Sequence, residues 1–196
     1  MEIPSLPNVE ISIDEKKALE AQLRECFGRV AYSHKTHEKC ADIFHSRLGI
    51  LKLIQILLAA VTTGGLIVTL FGEGNLSTVL AAISATLLLA INTYTKEHDL
   101  GELSAKYSNT AGDLWDIRES YLSLLTDLRC ADCDLNMIRN KRDELQGTLK
   151  NVYQAAPRTI SKGYKFAQSA LKVDEELTFS DEEIDNMLPG FLRKTE

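Results

Sequence analysis

Apolar residues are distributed along this chain in two ways, and the contrast predicts its architecture. From Leu53 to Phe71 and again from Leu76 to Tyr94 they run without a single charge, whereas elsewhere they recur every three or four residues among charged neighbours. Each uncharged run is 19 residues long. As helix that length rises about 28 Å and matches a hydrocarbon core of about 30 Å. Only Gly72-Glu73-Gly74-Asn75 separates the runs, so the pair predicts a two-helix membrane hairpin. Residues 1–52 precede it and are mostly polar, which excludes a secretory signal.

On the N-terminal side, residues 1–13 hold Pro4 and Pro7 and predict an irregular tail. Ser12-Ile13-Asp14-Glu15 then offers a capping box to a cytoplasmic helix over 14–52. Its seam runs Leu19, Leu23, Cys26, Val30, Ser33, His37, Cys40, Phe44, Arg47, Leu51 at alternating spacings of four and three, the pattern of a helix packed against a partner. After the second run the register is cleaner, from Leu100 and Leu103 through Tyr107, Leu114, Ile117, Tyr121, Leu124, Leu128, Leu135 and Ile138 to Leu145, Leu149 and Val152. Thr110 and Arg142 are its polar exceptions. No Pro or Gly-rich turn separates Tyr94 from Leu100, so the second span (76–94) is predicted to continue into a helical stalk over 95–156, which Pro157 ends.

One unbroken helix from Leu76 to Val152 would be about 115 Å long, against about 57 Å for the first soluble helix. The polar stretch Arg129-Cys130-Ala131-Asp132-Cys133-Asp134 therefore predicts a fold-back near 129–134. Residues 157–196 predict short helices, one over Tyr164–Leu171, and an acidic segment. In that segment Ser180-Asp181-Glu182-Glu183 is a second capping box, and Ile184, Met187 and Leu188 form an apolar face. Docking of this segment on the bundle and full solvation both fit its sequence. The predicted class is all-α: a two-transmembrane helical hairpin (53–71, 76–94) continuing into a cytoplasmic, coiled-coil-like helical bundle.

Charge narrows the function. The formal net charge is −6, and no basic stripe alternates with aromatics, so direct nucleic-acid binding is not expected. Arg47 and Lys52 precede the first span and Lys96 follows the second, while the connecting loop carries Glu73 and no base. The positive-inside rule then puts both termini in the cytoplasm, with the hairpin in the inner membrane. There Cys26, Cys40, Cys130 and Cys133 would be reduced thiols.

Candidate chemistry is sparse. His34, His37 and Cys40 together with Cys130 and Cys133 have the ligand types of a tetrahedral zinc site. However, Cys40 lies about 20 Å from the membrane end of its helix and Cys130 about 54 Å from the end of the second span if that helix is continuous. The two groups would not meet. Cys130 and Cys133 alone supply half a zinc site. No nucleophile elbow, phosphate loop, dinucleotide fingerprint or zinc-protease helix occurs. The reading is a non-enzyme without cofactor or metal.

The spans hold more information. Gln55, Thr62 and Thr69 are spaced by seven and share one face of the first span, and Ser77 and Ser84 repeat that spacing on the second, with Asn92 near its cytoplasmic end. Small residues, among them Gly64, Gly65, Ala60, Ala81 and Ala85, permit close helix approach, and hydroxyls or amides can bond across it. Two readings stay open: these residues zip the hairpin or a dimer together, or some of them face water in an oligomeric pore.

Several stretches around the hairpin, in order, carry a resemblance. Tyr32-Ser33-His34-Lys35-Thr36-His37-Glu38-Lys39-Cys40-Ala41-Asp42 precedes the spans. Arg118-Glu119-Ser120-Tyr121, Arg142-Asp143-Glu144-Leu145, Ala156-Pro157-Arg158-Thr159 and Phe179-Ser180-Asp181-Glu182-Glu183-Ile184-Asp185 with Leu188-Pro189 follow them. From Cys26 to Leu192 the chain resembles the SLATT family, two-transmembrane effectors associated with bacterial nucleotide second-messenger synthases and nucleotide-sensing domains. The resemblance implies a role in anti-phage conflict systems, in which a trigger causes homo-oligomerisation and the membrane is breached. It also implies a sensor, nucleotide synthase or reverse transcriptase as partner. Lys35, Arg118 and Arg142 are then candidate contacts for an anionic signal or an acidic partner, their other reading being ion pairs within the bundle. A non-conducting anchor or scaffold that recruits a partner through its stalk is the alternative function.

Overall fold

Helical periodicity on both sides of the hairpin becomes helix throughout the computed structural model, which describes the backbone of residues 7–71, 75–130 and 134–194. The order is α1 (Pro7–Phe71), α2 (Asn75–Glu97), α3 (Leu100–Arg129), α4 (Leu135–Ala155), α5 (Ser161–Lys172), α6 (Asp181–Met187) and a 3-10 turn over Gly190–Leu192. The chain is all-α, and among the described residues there is no strand.

α1 is one helix of 65 residues that joins the soluble body to the first span without interruption. It begins at Pro7, inside the stretch expected to be irregular, because proline in a first turn lacks only an N–H that would have no intrahelical acceptor. Ser12 therefore lies within the helix and not at its cap. The hairpin turn at 72–74, the N-terminal residues 1–6 and the centre of the fold-back at 131–133, with Cys133, lie outside the described residues.

The second span does not run straight into the stalk. α2 stops at Glu97, and Asp99 (φ −72°, ψ 87°) starts α3 afresh, its carboxylate accepting the Glu102 backbone N–H at 2.8 Å. Asp99 with Glu102 three residues on is itself an N-terminal signature, and it outweighs the heptad that continues across it. At the far end α3 finishes at Arg129 and Asp134 caps α4, accepting from Asn136 N at 2.9 Å and Met137 N at 3.4 Å.

Cross-helix contacts give the directions. Rising positions on α1 meet falling ones on α3, from Lys16 against the Cys130 carbonyl, through His34 against Arg118, to the Ala41 carbonyl against Ser104. Rising positions on α4 meet rising ones on α1: Arg139 with Glu15, Arg142 with Gln22, Tyr153 with Ser33. The body is thus a three-helix bundle in which α3 is antiparallel to both neighbours. Its core joins Leu19, Leu23 and Val30 to Leu114, Ile117, Tyr121, Leu124, Leu128 and Ile138, which are the seam positions read from the sequence. Arg47 departs from that seam: it is exposed, its guanidinium 5.4 Å from the Phe44 ring, and Leu48 packs inward instead.

Nearer the membrane a second core collects Cys40, Phe44, Leu100 and Tyr107, with the Phe44 and Tyr107 rings stacked at 5.4 Å. α5 closes it from the side through its smallest residues. Gly163, Ala167 and Ala170 are buried, and a Cβ at Gly163 would collide with Cys40 Sγ. α6 has no buried residue. On the spans the outward side chains stay bare, with Leu70 78% and Leu76 72% exposed, an arrangement that suits hydrocarbon and not water.

Candidate functional site

The polar stripe of the first span turns toward the second. Gln55 Nε2 donates to Asn92 Oδ1 at 2.8 Å and lies 3.5 Å from Thr95 Oγ1. At the other end Thr69 Oγ1 is 3.0 Å from Thr78 Oγ1 and 3.3 Å from Ser77 Oγ. Between them Thr62 donates to its own helix at the Leu58 carbonyl. Gly65 gives the close approach: a Cβ there would stand 2.9 Å from Ala81 Cβ and 3.0 Å from the Ser77 carbonyl. Ala81 and Ser84 are buried in this contact. Gly64 points the other way, into open space. In hydrocarbon each of these polar groups needs a protein partner, and the hairpin supplies them internally.

Above the hairpin the stretch His34-Lys35-Thr36-His37 is buried at four consecutive positions, because α3, α5 and the segment after α4 surround α1 on several sides. His37 lies on the seam expected from the sequence, whereas His34, Lys35 and Thr36 lie off it, where three polar residues in a row signal a solvated face. Lys35, 8% exposed, pairs with Glu38 at 2.8 Å and with Glu176 at 2.6 Å. Lys39 meets the same Glu176 at 2.8 Å. Glu176 is delivered by a turn in which Glu175 has φ 50°, a left-handed conformation that costs a non-glycine residue some strain. Burial lowers the pKa of the Lys35 ammonium, but Glu176 and Glu38 outweigh it and hold the pKa above its ordinary value. The contact with His34 does most to hold the Glu38 carboxyl down at about 2, against burial and with help from Lys35. Lys35 and then Lys39 lower Glu176.

The other expected contacts are also paired inside the bundle. Arg118 makes a two-pronged contact with Glu119 Oε1 at 2.6 and 2.9 Å and touches His34 Nδ1 at 3.5 Å. Arg142 bonds Asp143 at 2.7 Å and Gln22 at 2.7 Å. His37, its pKa lowered by burial and by His34, packs on Tyr107 and leaves Nδ1 buried without a partner. Beside it a cleft of about 540 Å³ opens among Tyr32, Tyr153, Arg158 and Tyr164. Cys40 is buried against α5, while Cys130 is exposed at the far end of the bundle. Among the described residues, no three His, Cys, Asp or Glu side chains gather as a metal site.

The profile of SMODS and SLOG-associating 2TM effector domain family 4 matches residues 19–183, most of the bundle and the whole hairpin. No curated protein and no solved structure matches the chain. Two helices are long and apolar enough to cross a membrane, which is what the family's two-transmembrane description requires, so this is a membrane protein. The chain belongs to family 4 of the SMODS and SLOG-associating two-transmembrane effector domains, effectors of conflict systems.

Proposed function

We propose that the chain is a non-catalytic effector of a bacterial defence system that assembles in the inner membrane, both termini cytoplasmic, and permeabilises it. The observation that carries this reading is the continuity of α1. One helix is clamped in the bundle at Lys35 and Cys40 and forms the first span, so any reorientation of the body is delivered to the hairpin without a flexible joint. A single hairpin encloses nothing, and its outward faces must therefore meet those of other copies. Gly64 offers one such face a close approach, and the outward hydroxyls Thr86 and Thr93, one heptad apart on α2 and exposed, are the groups placed to meet water in the assembly. The trigger is a sensor, synthase or reverse transcriptase partner, or an anion reaching Lys35 and Arg118.

Inducible expression with a potential-sensitive dye tests it. Loss of potential on induction, reduced by Thr86→Val with Thr93→Val, supports a conducting assembly. A second reading, a non-conducting anchor that recruits a partner, is favoured by the inward direction of Gln55 and Thr69. It predicts normal potential and a requirement for the bundle alone.

A further inference from the structure

Two surfaces of this chain lack a cover, and they are complementary. On the α1/α3 side of the bundle, a groove of about 510 Å³ has Phe27, Leu122 and Leu125 as its apolar wall, and Arg24 and Arg129 outnumber Glu20 at its rim. Leu122 is 46% exposed. Arg24 has only a 3.6 Å contact with Glu20 on its own helix, and Arg129 carries no ion pair to any described residue. At the other end of the chain, α6 turns Ile184 and Met187 to solvent, 40% and 66% exposed. Phe179 and Phe191 flank it and are exposed as well. Four of its seven residues are acidic: Asp181, Glu182, Glu183 and Asp185. Asp181 pairs with Lys194 at 2.7 Å, Asp185 accepts the Lys194 backbone N–H at 3.3 Å and Glu183 caps Ser180, all at exposed positions that leave carboxylate oxygens open to a second cation. No other helix packs extensively on it.

We infer that α6 of one copy lies in the Phe27/Leu122/Leu125 groove of a second copy, its carboxylates on Arg24 and Arg129, in a reciprocal exchange that joins two chains. The mode is an amphipathic helix in a groove, read through positions i, i+3 and i+4, here Ile184, Met187 and Leu188. Within one chain α6 stands off its own groove, so an exchange fills two empty grooves with two uncovered helices, and two-fold symmetry doubles the buried surface. The reach agrees with two chains standing side by side in a membrane. Glu176 is tied to Lys35 and Lys39, and the groove centre lies about 17 Å further from the membrane along α1. After the turn at Glu176 and Leu177, which the Thr178 N–H closes on the Glu175 carbonyl at 2.9 Å, three extended residues and one helical turn carry Ile184 about 16 Å onward. Confinement of both chains to one bilayer raises their effective concentration, so a small contact suffices. This inference rests on the reading that the effector assembles, and it names the surface by which the bodies do so.

Charge reversal by mixing tests it on the full chain in nanodiscs or detergent, with association read by mass photometry and by energy transfer between labelled copies. One variant carries Arg24→Glu and Arg129→Glu, the other Asp181→Lys and Asp185→Lys, and circular dichroism confirms that both keep the wild-type helix content. Each alone is expected to self-associate about tenfold more weakly than wild type. The mixture is expected to recover, because each groove then meets a helix of opposite charge on the other chain. Leu122→Asp, at an exposed position, is a second lesion and should weaken association similarly without unfolding the bundle. Undiminished association of both Leu122→Asp and the arginine variant overturns the inference. So does a mixture that fails to recover, the result expected if α6 docks on its own chain. Permeability is read separately: association through α6 without dye leakage would contradict the pore reading and leave this contact standing.

Discussion

The side-chain amide of Gln55 donates to Asn92 Oδ1 at 2.8 Å, tying the two spans together at the end nearer the helical bundle. Replacing Gln55 with Leu leaves the Asn92 amide in the hairpin without its partner. The expected cost is about 0.6 kcal/mol of hairpin stability, the average for such bonds in membranes, and at most about 1.7 kcal/mol. Gln55→Leu with Asn92→Leu should recover part of the loss, since both unpaired groups are then gone. Reversible unfolding in micelles checks the order of the three variants.

Gly65 and Gly64 are neighbours with opposite expectations. A side chain at Gly65 strikes Ala81 and the Ser77 carbonyl, whereas one at Gly64 meets nothing within 4 Å. Gly65→Leu should push the spans apart, and Gly64→Leu should leave the hairpin intact while blocking close approach of a second hairpin. Distances between spin labels at the outward positions 57 and 87, in a cysteine-free background, report the first effect. Oligomer size reports the second.

Gly163 allows α5 to sit directly on Cys40. Gly163→Ala forces the added methyl onto Cys40 Sγ, an overpacking expected to cost about 1–3 kcal/mol. In a Cys40→Ala background the same change should cost clearly less, because the sulfur that it strikes is gone. Denaturant unfolding of the four variants gives the coupling.

Acid should loosen the clamp around Lys35. The Glu38 carboxyl is held at about 2, below its ordinary 4.5, so its stabilising contribution is present above 4.5 and is lost as pH falls from there toward 2. Glu176 is lowered too and acts in the same direction. Glu38 is 40% exposed, so solvent screening limits the contribution to under about 1 kcal/mol. Glu38→Gln should therefore be slightly less stable than wild type at pH 7, and the gap should close as pH drops below 4.5. A constant gap from pH 7 to pH 3 would contradict this account.

Much of this architecture is legible in the sequence where a period carries it. The two uncharged runs and the seam from Leu100 to Leu128 specify spans and buried faces directly, because helix geometry fixes which residues share a side. Local chemistry was harder to weigh. The break at Asp99 rests on one carboxylate and the Glu102 N–H, and an unbroken heptad hides it. Tertiary burial is less visible still. His37 falls on the seam, but nothing in His34-Lys35-Thr36 announces that other elements enclose it, and Gly163, Ala167 and Ala170 carry too little apolar surface to mark α5 as a packing helix. Spacing placed Gln55, Thr62 and Thr69 on one face, but only the position of α2 determines what that face meets.

Membrane potential on induced expression tests the central claim most directly. Copies that assemble and conduct should collapse it within the time the protein takes to accumulate, and Gly64→Leu should delay the collapse by hindering assembly. Normal potential in cells whose membranes contain the assembled, full-length protein together with its activating partner would contradict a permeabilising effector.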